Sequence, residues 1–314
     1  MVGGSEPGET PDRVERGWPR AAALLLLAWA FPVSRANILL AVAYLVMILG
    51  LPVRNRGAWV VGAIMVWGVM SGDHEGLWWT ERGWALLVGG WFVALTIGRP
   101  GTGFLPRALS SVAGAVAVAA LLVAARGSLW DVLDWQVGER VNAYLFSVME
   151  GMRQIQESPT LSPVVVSALN GMAETQIQVF PATAALASVA ALGVAWWLYL
   201  RVAHGDDYGL MPLREFRFND HLVWLLVGGL VLVLVGGEGL DRAGSNAVVF
   251  MSGLYALRGA AVVAFFGAGK SLVGVAFLVL ALLFIWPVVA VGALVVGLGD
   301  TWLDLRARAR AMTA

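Results

Sequence analysis

The chain has 314 residues, 59% of them hydrophobic and only 13% charged, with 21 basic side chains balanced by 21 acidic ones. Soluble domains are about 45–50% apolar and roughly a quarter charged, so a mean hydropathy of +0.76 excludes an ordinary soluble fold and points to a helical membrane protein. The zero net charge leaves no basic field for nucleic acid, and the absence of cysteine excludes disulfides, thiolate metal sites and cysteine nucleophiles.

Residues 1–17 are polar and of mixed charge, which predicts a short disordered tail without the features of a secretory signal. A spanning helix needs about 20 mainly apolar residues. Apolar segments lie at 20–32, 36–51, 57–71, 83–98, 106–125, 179–201, 221–237, 245–267 and 271–298. They predict an all-α polytopic transmembrane bundle of eight or nine spans. The first two segments are short, and Pro287 should kink or divide the last. The expected organisation is an N-terminal membrane bundle over 18–126, amphipathic extramembrane helices over 127–178, a second bundle over 179–300 and a basic tail over 301–314.

Between the two bundles, Trp130, Leu133, Val137, Val141, Tyr144, Val148, Met152 and Ile155 recur at spacings of three and four. This is one apolar stripe on a helix near 128–157. Its other face carries Asp131, Asp134, Gln136, Glu139, Arg140, Glu150, Arg153 and Gln154. Such a helix lies on a membrane surface or caps a bundle, and Pro159 and Pro163 end it. A second short helix is expected over 163–178.

Arginine in short loops sets orientation. With the N-terminus inside, the inner loops hold Arg54, Arg56, Arg99, Arg107, Arg201, Arg214, Arg217 and Lys270, and the outer ones Arg35, Arg82, Arg126, Arg140, Arg153 and Arg242. This points to a multi-pass protein of the inner membrane with a cytoplasmic N-terminus. The basic stretch with Arg306, Arg308 and Arg310 falls inside with eight spans and outside with nine. Seven tryptophans, among them Trp78, Trp84 and Trp302, fall at predicted membrane edges, where indole rings are favoured.

Arg258 is the most informative residue, because a charge within a span costs roughly 2.5–3.5 kcal/mol on insertion scales and faces a cavity or a partner. Glu238, Asp241 and Asp220 are its candidate partners. Asn246, Ser252 and Tyr255 share its segment, and Ser252, Tyr255 and Gly259 continue at helical spacing. Together these seven residues form the candidate ligand-binding set. The rival reading of Arg258 is a structural ion pair or a side chain that snorkels to an interface.

The rest of the chain offers little chemistry. GAGKS at 267–271 lacks the first glycine of a phosphate loop, since Ala264 stands there. His74, His204 and His221 have no metal-ligand spacing, and no nucleophile has a base at a meaningful distance in sequence. No enzyme activity, metal or cofactor is expected. The expected partners are the lipid bilayer and other membrane subunits, with a ligand of unknown identity.

The segment PLREFRFNDHLVWLL, the later SGLYALRGAAVVAFF and the closing Gly297, Leu298, Asp300, Trp302, Asp304 and Arg306 resemble the YybS-like (DUF2232) family of uncharacterised bacterial membrane proteins. The family pattern places a polar uncharged residue where Arg258 stands, and this chain departs from it there. The family is distantly similar to the substrate-binding subunits of energy-coupling-factor transporters. The resemblance implies a bundle that captures a small or lipid-like solute and has no ATPase of its own. The rival expectation is a structural or assembly protein that docks an envelope partner through the amphipathic helix.

Overall fold

The computed structural model describes residues 36–70, 76–156, 162–204, 215–237, 240–267 and 286–313, and among them every regular element is a helix. The first half holds α1 (Ala36–Gly50), α2 (Gly57–Met70), α3 (Trp78–Gly98) and α4 (Phe104–Ala125). Then come α5 (Ser128–Gln156), α6 (Pro163–Gln178) and α7 (Phe180–Tyr199), which continues as a π-helical turn, Leu200–His204. A 3-10 turn, Asp220–Leu222, opens α8 (Val223–Val235); α9 (Leu240–Gly267), α10 (Trp286–Leu303) and α11 (Leu305–Thr313) follow.

The expectation of eight or nine full spans is corrected by these lengths. Among the described residues three helices are long and apolar enough to cross a membrane: Phe104–Ala125, Phe180–His204 and Leu240–Phe266. A fourth results if the pair Val288–Leu303 and Leu305–Met312, bent by 66°, counts as one. Ala36–Gly50, Gly57–Met70 and Asp220–Val235 are apolar but short. At about 1.5 Å per residue they reach only about 20–24 Å, against a hydrocarbon core of about 30 Å. α3 has 21 residues, but Glu81 and Arg82 lie in its opening turns and dilute its apolarity. The predicted segment 20–32 and the first part of 271–298 lie outside the described residues.

α7 is the central helix, with thirteen of its twenty residues buried, seven of them alanine or glycine. Small side chains let neighbouring helices come close, which is how packing is gained where lipid supplies no hydrophobic drive. α1 packs on one side of it, with Tyr44 and Met47 fully buried, and the Tyr44 hydroxyl donates to the Ala58 carbonyl at 3.1 Å. α9 packs on it as well, and is itself lined by α8 and α10.

The turns divide between two ends of the bundle. At one end the Tyr199 hydroxyl donates to the Pro52 carbonyl at 2.8 Å and the Arg54 amide to the Ala203 carbonyl at 3.2 Å. Arg107, in the first turn of α4, lies over Trp196 of α7 at 5.6 Å and bonds the Thr102 carbonyl at 2.5 Å. At the opposite end, α5 and α6 sit on the openings of α3, α7 and α9. Val137, Val141 and Leu145 pack with Leu77 and Ala173. The buried row thus passes through Leu145, and Tyr144, predicted in the stripe, is exposed. The flanks of α5 are tied down by charge: Arg140 pairs with Glu81, and Arg242 grips Asp134 through two bonds of 2.7 and 2.6 Å.

The tightest helix contact is between α9 and α10. A Cβ on Gly259 would stand 1.8 Å from the Ala293 carbonyl oxygen, and one on Gly297 would stand 2.0 Å from that of Tyr255. Backbone on both sides leaves no flexible side chain to yield. Gly297→Val is therefore expected to cost about 3 kcal/mol or more, beyond the usual range for overpacking. Gly292→Ala on the same helix meets nothing within 4 Å and should stabilise by about 0.5–1 kcal/mol through helix propensity. Unfolding of both variants in mixed micelles checks the pair; equal stability would refute the close crossing.

Candidate functional site

Arg258 lies on α9 where three other stretches of chain meet it: residues 216–222, the last turns of α10, and α11. Its Nε donates to Asp300 Oδ2 at 3.0 Å, its Nη1 to Asp220 Oδ1 at 2.5 Å, and its Nη2 to the Asp300 carbonyl at 3.4 Å. The same Asp300 oxygen accepts a 2.7 Å bond from Arg306 Nη2, while Arg306 Nη1 donates to the Phe216 carbonyl at 3.0 Å. Arg258, Asp300 and Arg306 are 2%, 0% and 1% exposed, whereas the Asp220 side chain is 62% exposed. Two guanidinium groups thus face two carboxylates, and the cluster is neutral as a whole.

Local structure accounts for each position. The Asn219 side chain accepts from the His221 amide at 3.0 Å and starts the turn that presents Asp220. Asp300 stands in the last turn of α10, where the helix dipole disfavours an anion; two arginines offset that cost. Asp304 sits at φ 43° between α10 and α11, a left-handed conformation that aspartate tolerates better than most side chains. Its carboxylate pairs with Arg217. Aromatic rings close the inner side: the Arg258 guanidinium carbon is 5.4 Å from the Phe218 ring centre, and Phe218 meets Tyr255 edge-on at 5.1 Å.

Asp300 Oδ1 and the Tyr255 hydroxyl are among the buried polar atoms of this cluster that make no hydrogen bond. Thr301 is the hydroxyl neighbour of Tyr255, but it donates to the Gly297 carbonyl at 3.3 Å. Buried polar groups are normally satisfied, and an unsatisfied one asks for a water, an ion or a ligand.

Of the seven predicted residues, the structure brings together Arg258, Tyr255 and Asp220. Ser252 is half-buried on the same helix. Glu238 lies outside the described residues. Asp241 is not a partner of Arg258: seventeen residues of helix separate them, about 25 Å, and Asp241 accepts from Gln178 at 3.5 Å at the opposite end. Asn246 belongs to that end too. It accepts from the Ala182 amide at 2.8 Å and donates to the carbonyls of Gln178 and Arg242 at 2.9 and 2.8 Å, tying α9 to the start of α7. The candidate set on this helix thus divides between two polar clusters at different levels along it.

Sequence reasoning did not pair Asp300 and Arg306 with Arg258. Both stand in the closing Gly297-to-Arg306 element, and their i, i+6 spacing across a helix break was the available signal. Two further arginines counted as loop charges are buried. Arg82 donates to the Val69 and Trp78 carbonyls at 2.9 Å and lies 3.7 Å over the Trp78 ring; Arg107 bonds Thr96 Oγ1 at 3.1 Å. Trp78 and Trp84, expected at membrane edges, also point inward, the latter donating to Ser188 Oγ at 2.8 Å.

Removing Asp300 takes the carboxylate from buried Arg306 and leaves Arg258 with only the exposed Asp220, so Asp300→Ala is expected to cost about 3–5 kcal/mol. Asp220→Asn should cost under about 1 kcal/mol, because solvent screens that partner. Arg258→Met should fall between them, since Asp300 then keeps Arg306. Unfolding midpoints of the three variants would contradict the shared-carboxylate arrangement if Asp220→Asn were the most damaging.

A family model described as a predicted membrane protein, DUF2232, matches residues 104–301. No curated protein and no solved structure matches the chain.

Proposed function

We propose, for a chain that belongs to the DUF2232 family of predicted membrane proteins, that the bundle binds or moves a small or lipid-like solute without an ATPase of its own. One observation carries this reading. Asp300 Oδ1 and the Tyr255 hydroxyl are buried without hydrogen bonds beside a cluster that reaches solvent through Asp220. A polar solute that donates to the carboxylate and accepts from the phenol would complete both. Arg258 then acts as a positioning residue, because Asp220 and Asp300 already take its N–H groups. The YybS-like resemblance and the likeness to energy-coupling-factor subunits agree with capture of a solute and reliance on separate energising subunits.

A second reading, assembly of an envelope complex, has support of a different kind. α5 is pinned to the bundle by Arg140–Glu81 and Arg242–Asp134, and its far side exposes Val132, Trp135 and Phe146. Such a platform suits a protein partner.

Tyr255→Phe removes only the hydroxyl and keeps the ring against Phe218. Mass spectrometry of small molecules that co-purify with the wild type and the variant separates the two readings. The solute reading expects a retained molecule whose occupancy drops severalfold in Tyr255→Phe. Equal occupancy, or none in either protein, together with capture of one protein by crosslinking from α5, favours assembly.

The orientation we propose places the end with Arg54, Arg56, Arg99 and Arg217 in the cytoplasm of an inner-membrane protein. The stretch with Arg306 joins that end through its bond to Phe216, which agrees with this orientation. The chain has no cysteine, so single substitutions label cleanly. In intact cells stripped of the outer envelope, Asn142→Cys on α5 should react with an impermeant thiol reagent and Thr102→Cys should not; the reverse pattern inverts the topology.

A further inference from the structure

α11 departs from α10 at 66°. Its sequence, LRARARAMT, contains three arginines and no acid. Helical spacing sends them different ways. Arg306 turns inward to Asp300 and Phe216. Arg308, two residues on, is exposed on the opposite side, beside Met312 at the i+4 position, which is 80% exposed. Arg310 is exposed while its guanidinium carbon lies 5.4 Å from the ring of Phe265, near the end of the spanning helix α9. Just before the bend, Trp302 is 68% exposed.

An outward indole just before the bend, with an outward thioether and guanidinium on the short helix after it, is poorly served by bulk water and equally poorly by the hydrocarbon core. They match the layer between, where acyl chains meet headgroups. The helix follows an apolar helix and bends away from it, as an interfacial segment must. With cations and no acid, it calls for an anionic surface, and the surface that a membrane protein always has beside it is lipid.

We propose that α11, with Trp302, is an interfacial anchor that binds the headgroups of anionic phospholipids through Arg308 and Arg310. The anchor also has a structural consequence. Arg306 sits in the same helix, so holding α11 against the membrane surface holds Arg306 where Asp300 needs it. This inference is independent of any solute at Tyr255.

The test uses the full chain carrying Met312→Cys as its one thiol, labelled with an environment-sensitive fluorophore. The protein is placed in nanodiscs of phosphatidylcholine alone and in a series enriched in phosphatidylglycerol. Emission should shift to the blue as phosphatidylglycerol rises, and high salt should reverse the shift. In Arg308→Gln/Arg310→Gln the preference for the anionic discs should weaken by about fivefold per arginine removed; Arg308→Lys, which keeps the charge, should retain most of it. Inorganic phosphate added to neutral discs should change nothing. Emission indifferent to phosphatidylglycerol, a response that survives in the double glutamine variant, or a response reproduced by phosphate would each overturn the proposal.

Discussion

The carboxylate of Asp300 is shared between two arginines that come from different helices, and the second half of the bundle depends on that sharing. Arg258 brings in α9 and Arg306 brings in α11, while Arg306 also reaches back to the Phe216 carbonyl. A charge buried alone in a low-dielectric interior is untenable, and a pair is tolerable only with good geometry and further hydrogen bonds. Here the geometry comes from the close α9–α10 crossing at Gly259 and Gly297, which sets how near Asp300 can lie to Arg258. The glycine contact and the ion cluster therefore support one another: bulk at the crossing would pull the charges apart, and loss of the charges would remove the polar reason for the helices to meet there.

The same logic explains the closing element of the chain. Gly297 permits the approach, Asp300 collects both guanidinium groups, Asp304 adopts the left-handed turn and pairs with Arg217, and Arg306 returns to Asp300. Four positions that read as a degenerate motif turn out to be one device that ends a membrane helix and fixes the direction of α11. At the far end of α9 a second polar cluster does a comparable job. Arg242 holds Asp134 of α5, and Asn246 joins the start of α7. The cap of α5 and α6 is thus fastened to the helix that carries Arg258, although about 25 Å of helix separates the two clusters.

Buried arginine is a recurring solution in this chain. Arg82 and Arg107 also lie inside, each against an aromatic ring and backbone carbonyls. Arginine suits these places because its charge is delocalised and its fixed fork of donors can satisfy several acceptors at once. What a simple count treats as loop charge is, in these cases, internal mortar.

Much was legible from the sequence alone. The all-helical membrane class followed from composition, since a chain this apolar has few other ways to satisfy its backbone. The amphipathic helix followed from its period, and Arg258 from the cost of its charge. The number of full spans was overcounted, because apolar runs of 14 or 15 residues look like spans to a hydropathy reading and only the helix boundaries set their reach. The partners of Arg258 were half found: Asp220, 38 residues before it, opens the helix that precedes α9, while Asp300, 42 residues after it, stands at the far end of a later helix. Asp241 and Asn246 do not lie beside Arg258, because sharing a helix does not mean sharing a level along it. Sequence determines which residues cannot face lipid, through their charge and period. Only the tertiary structure decides which of them meet, because that depends on where helix backbones come close enough for side chains to reach.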